Sequence, residues 1–153
     1  CDEANPAYAL YATLRWDNLM LKGDYAKTLK DWPGTFNPNP PLNIYPASPV
    51  TSYDIGAKYT TMVMDRPVDL SLDYSILVAG PDGSPWHRQA QSVAGVAFHL
   101  MPNAKFFTEA ILVQGYEPLQ FLTGGIPGLP LGETEADPDN HSEVIVAGVN
   151  VAF

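Results

Sequence analysis

Between Val68 and Val78 two carboxylates, Asp69 and Asp73, alternate with Ser71 and Ser75 at every second position. Acids spaced this way on an extended chain share one face. They would make that face the polar, water-facing side of a strand. Further charges recur at similar intervals: Arg15, Lys22 with Asp24, Asp54 with Lys58, and Lys105 with Glu109. The three histidines, His87, His99 and His141, lie far apart, and none has the spacing of a metal-ligand pair. Ser142 adjoins His141, but neighbours on a strand point to opposite faces, which prevents cooperation. No nucleophile-elbow, phosphate-loop or dinucleotide fingerprint occurs. The acidic run Glu133, Glu135, Asp137 and Asp139 lacks the regular spacing of a calcium loop and reads as a solvated surface loop. Neither an enzyme nor a bound metal or cofactor is expected.

The elements that position these groups follow from a period of two. Val68, Leu70, Leu72, Tyr74, Ile76 and Val78 fall on one side; Asp69, Ser71, Asp73, Ser75 and Leu77 fall on the other. A helix would put Asp69 and Asp73 inside the apolar stripe, so this is a strand. The same alternation predicts six more strands, starting near Tyr8, Leu19, Tyr53, Gln89, Lys105 and Ile145. At about nine to twelve residues they are longer than the usual five or six and match the 9–11 that a tilted strand needs to cross a bilayer.

Composition narrows the class. The 153 residues suit one domain, and Lys+Arg 8 against Asp+Glu 17 leaves a formal net charge of −9, which opposes nucleic-acid binding. The single Cys1 excludes an internal disulfide. Fifteen prolines and 12 glycines disfavour a helical bundle. Short connections at Asp17-Asn18, Asp65-Arg66-Pro67 and Pro102-Asn103-Ala104 alternate with long ones over 29–51, 80–87 and 117–141. Short turns at one end and long loops at the other are a barrel signature of outer membranes.

The final stretch, Glu143 to Phe153, alternates apolar residues and ends in phenylalanine. In this it resembles the closing strand of Gram-negative outer-membrane β-barrel porins. A weaker similarity, to siderophore and other substrate porins, rests on the Asp-Arg-Pro and Pro-Asn turns and on Gly124-Gly125. The resemblance implies an all-β, antiparallel transmembrane barrel segment of about seven up-and-down strands, with short periplasmic turns and long extracellular loops, in the bacterial outer membrane. It implies that Val149, Val151 and Phe153 signal to the barrel-assembly machinery. Counting back from a periplasmic Phe153 puts all three short turns on that side. Seven is odd, whereas bacterial barrels have even strand numbers, so the expectation is the C-terminal part of a larger barrel. The rival is a small complete barrel with an eighth strand near Leu42 to Tyr45.

Closure would turn the second face into a lumen lined by Arg15, Lys22, Asp24, Asp54, Lys58, Asp69, Asp73, Glu109 and Asn150, with Lys105 beside them. Each charge alone reads as wall bracing, Lys22 with Asp24 neighbours across strands for example. Together they read as a pore for small solutes or ions, with a slight acidic excess favouring cations. Trp16, Phe106 and Phe153 fall near short-turn ends, and Tyr25, Tyr53 and Tyr116 near long-loop ends, as membrane-interface aromatics do. The expected partners are outer-membrane lipid and lipopolysaccharide, the assembly machinery and small solutes, but no nucleic acid; a homo-oligomer is left open. The contrasting readings are a non-conducting barrel acting as adhesin or anchor, and a soluble β-sandwich.

Overall fold

The computed structural model describes residues 4–38, 40–115 and 141–152. Seven strands form a single sheet: β1 (Ala7–Trp16), β2 (Leu19–Thr28), β3 (Thr51–Val63), β4 (Arg66–Val78), β5 (Arg88–Met101), β6 (Ala104–Gly115) and β7 (His141–Val151). Each pairs antiparallel with its sequence neighbours in the order β1 to β7. The fold is therefore all-β and up-and-down, and the described residues contain no α-helix. The sheet is open, because β1 and β7 do not meet. Tyr116, Phe153, Gly124-Gly125 and the acidic run 133–139 lie outside the described residues.

The strands run from 10 to 14 residues, slightly longer than the alternation predicts. The difference lies at the turns. Arg66 and Pro67 open β4 instead of forming the connection, and Val63 pairs with Arg66 across the two-residue turn Met64-Asp65. Both turn residues have positive φ, 49° and 59°. This conformation matches the right-handed twist of a hairpin and normally selects Asn, Asp or Gly. Asp17 also has positive φ, 52°, in the β1–β2 turn. Asn103 donates its amide to the Ala152 carbonyl at 3.0 Å, tying the β5–β6 turn to the end of β7. A register shift between His99 and Met101 adds local twist at the end of β5.

Register places the alternating residues in continuous rows. One row runs Leu21, Ala57, Leu72, Ala94, Ala110 and Ile145 from β2 to β7. The face it belongs to is mainly apolar, with Ser92 and Thr108 its polar members in mid-strand. Its charged members, Lys27, Arg66, Arg88 and Glu143, sit only near the strand ends. No second layer covers either face among the described residues, and the buried apolar side chains there are only Val68 and Ala90. The opposite face carries the mid-strand charges. It also carries an apolar strip where Val93, Ile111 and Val144 pair across β5 to β7, so near β7 this face is less polar than the alternation implies.

The loops between β2 and β3 and between β4 and β5 pack on one another. The segment 29–50 folds back through the Trp32–Ser48 bridge, with 3₁₀ turns at Pro33–Thr35 and Leu42–Ile44. Leu42 to Tyr45 is thus no hidden strand. Buried Thr35 donates to the Trp32 carbonyl at 2.7 Å and accepts from the Ser48 amide at 2.8 Å. Trp86 of the β4–β5 loop donates its indole N–H to the Thr35 carbonyl at 3.1 Å and meets Tyr45 edge-on.

The turn geometry makes one prediction. Met64 is almost fully exposed and left-handed, a conformation that asparagine tolerates better. Met64→Asn should stabilise the protein by about 1 kcal/mol, read from urea unfolding. A lower stability would exclude this turn.

Candidate functional site

Every strand charge named from the sequence lies on one face, at alternate positions fixed by the ladders. Lys22 stands in the row Thr13, Lys22, Gly56, Asp73, and Asp24 and Asp54 stand in the next. Asp24 faces Asp54 directly, an unfavourable pairing of like charges. Lys22 relieves it. Its Nζ lies 3.3 Å from an Asp54 oxygen and 2.7 Å from Asp73, two strands away. The lysine crosses β3 only because position 56 is glycine. A Cβ there would collide with the Asp73 carboxylate and stand 2.5 Å from the lysine stem. The partners of Lys22 are thus Asp54, the cross-strand neighbour of Asp24, and Asp73 one strand further on.

A second cluster gathers on Asp69 near the short turns. Thr60 donates to Asp69 Oδ1 at 2.7 Å, His99 Nε2 lies 3.1 Å from Oδ2, and Lys58 Nζ lies 3.5 Å from the same oxygen. The three contacts come from β3 and β5, the strands on either side of β4. Thr60 and His99 carry no mark in the sequence beyond sharing the polar parity. Their convergence depends on strand register.

The remaining predicted residues are less engaged. Arg15 opposes Met20 on the edge pair of strands. Lys105 lies between His99 and Asn150, and Glu109 between Gly95 and Val146. Among the described residues neither Lys105 nor Glu109 forms an ion pair. They border a depression of about 360 Å³ on this face, together with Lys58, Asp69, Ser71 and Asn150. Across most of the sheet the exposure is inverted relative to a protein folded in water. Ile55 and Leu72 are 64% and 61% exposed, whereas the Asp54 and Asp69 side chains are 21% and 16% exposed.

The predicted aromatics separate by end. Trp16 and Phe106 lie on the apolar face toward the short turns. Tyr25 and Tyr53 lie toward the long loops, stacked in a row with Tyr8 at centroid distances of 5.7 and 5.1 Å. Tyr74, beside them in β4, accepts from the Arg88 guanidinium at 3.1 Å. Val149 and Val151 are on the apolar face of β7, opposite Phe106 and Ala104. Comparison of the chain with protein-family models, with curated proteins and with solved structures finds no match.

The bridge over Gly56 can be tested by a double-mutant cycle. Lys22→Met should cost about 1 kcal/mol, as expected for a half-exposed ion pair. Gly56→Ala should cost about 1–3 kcal/mol by overpacking. Because both break the same bridge, the double variant should cost clearly less than the sum in urea unfolding. Strict additivity would show that the lysine does not cross β3.

Proposed function

We propose that this sheet is part of the wall of an outer-membrane β-barrel, with its apolar face on lipid and its charged face on a water-filled lumen. The barrel acts as a passive, porin-like channel for small solutes or ions. The observation that carries this reading is the inverted exposure: the large apolar side chains are the more open ones, and the carboxylates are the more enclosed. In water an uncovered apolar face of seven strands would aggregate. In hydrocarbon it is at its lowest free energy.

The dimensions support the same reading. The apolar face of β4 is free of charge from Val68 to Val78. Those ten steps measure about 34 Å along the strand. Tilted by about 40°, they project to about 26 Å, close to the roughly 25 Å apolar band of such barrels. Arg66, Arg88, Lys27 and Glu143 then fall at the two polar borders, and the tyrosine row lies at one of them. Further strands would join β7 to β1, since a bilayer leaves no unpaired edge unpunished.

In this reading the long loops face outward and the short turns face the periplasm. Lipid and lipopolysaccharide cover the outer wall. The assembly machinery reads the β7 end, and the ordered contact between Trp86 and Thr35 stiffens the outer rim. Solutes move down their gradient past Lys22, Asp54, Asp73 and the Asp69 cluster. With five carboxylates against four basic groups on this face, cations are slightly favoured.

Two neighbouring substitutions test the faces. Leu72→Arg should cost about 2–4 kcal/mol in membrane stability, and Ser75→Arg, opposite Asp54, far less. Equal costs would refute the orientation. The full-length protein in planar bilayers should give stepwise conductance with mild cation selectivity in the reversal potential. An inserted but silent barrel would instead be the anchor or adhesin.

A further inference from the structure

Lys105, Phe107 and Glu109 share the polar face of β6 at successive alternate positions. Lysine and glutamate four steps apart on a strand have Cα atoms about 13 Å apart. The two charges are half-buried and opposite in sign, yet they do not pair. A partly desolvated charge without a counter-charge is costly unless water or a ligand supplies one.

The space between them is kept open by the sequence. The Phe107 ring lines the depression between them and leans over β7, where it lies 2.8 Å from the position of a Cβ at Gly148. Across from Phe107 and Glu109 the floor consists of Ala97 and Gly95. Glu109 Cγ and Ser71 Oγ both lie over Gly95, at 3.4 and 2.5 Å from the position of its missing Cβ. Asn150 is the register partner of Lys105 on β7 and lines the same depression. Lys58 and His99 are already committed to Asp69. The depression holds about 360 Å³, at the small end of ligand pockets.

From this geometry we infer a binding station for a small zwitterion carrying a carboxylate and an ammonium a few ångströms apart. Lys105 and Asn150 take the carboxylate, and Glu109 and Ser71 take the ammonium. A simple anion would be repelled at the Glu109 end and a simple cation at the Lys105 end. A molecule with both groups satisfies both and carries no net charge. The inference rests on the channel reading for its biological sense, since the station would then lie on the solute path. The binding itself does not need conduction.

The test uses the full-length protein in detergent micelles with radiolabelled L-alanine as probe. Retention should be saturable, with acetate and methylamine competing at least about tenfold more weakly. Lys105→Met and Glu109→Gln should each lower affinity about tenfold or more, the loss of one charge-assisted contact. The charge-swapped double variant, Lys105→Glu with Glu109→Lys, should restore binding, because the ligand can reverse. That outcome also excludes misfolding as the cause of the single losses. Absent saturable retention, wild-type affinity in both single variants, or equal competition by acetate would overturn the station. Loss of conductance with binding intact would instead remove the channel reading and leave the station standing.

Discussion

A sheet that is apolar on one face, with no second layer over it among the described residues, leaves a wide apolar surface to be covered. That constraint organises the rest of the molecule. The rows from Leu21 to Ile145 and from Val68 through Phe98 and Phe106 to Val149 run unbroken across the strands, and charge enters this face only at its borders. Each backbone group inside the sheet is satisfied by its neighbour, so the ladders supply continuity while the environment supplies the favourable contact. Few apolar side chains are buried among the described residues, Val68 and Ala90 alone.

The second face solves the opposite problem, keeping ionised groups close together on a crowded surface. Lys22 spans β3 to bind acids on two strands, and a glycine gives it room. Asp69 gathers a hydroxyl, an imidazole and an ammonium from the strands on either side. Such contacts between strands two apart act as cross-braces that the ladders do not provide. Lys105 and Glu109 depart from this economy: among the described residues neither forms an ion pair, and they border a depression whose other side is the braced Lys58–Asp69 pair.

Most of the architecture is legible in residue order. Alternation in Val68–Val78 requires an extended chain, because a helical period would bring Asp69 and Asp73 onto the apolar side. Turn residues at Asp17-Asn18 and Pro102-Asn103 mark the short connections. The β3–β4 turn was displaced because Met64 adopts a left-handed backbone that its side chain does not favour, and propensity points instead to the Asp-Arg-Pro run. The extra strand proposed near Leu42 gave way to a 3₁₀ turn, which its flanking prolines accommodate more easily than a ladder. The strip of Val93, Ile111 and Val144 was hidden for another reason: each residue looks isolated in the sequence, and only pairing makes them adjacent.

By itself the sequence determined which side chains share a face, since a strand reverses direction at every residue whatever its neighbours are. It also marked two of the three short turns, at Asp17-Asn18 and Pro102-Asn103. Only the tertiary structure decided which charges meet. Contacts such as Lys22 with Asp73, or His99 with Asp69, join residues 51 and 30 positions apart. Their distance depends on strand register, and a one-residue slip in any hairpin would send the partner to the opposite face.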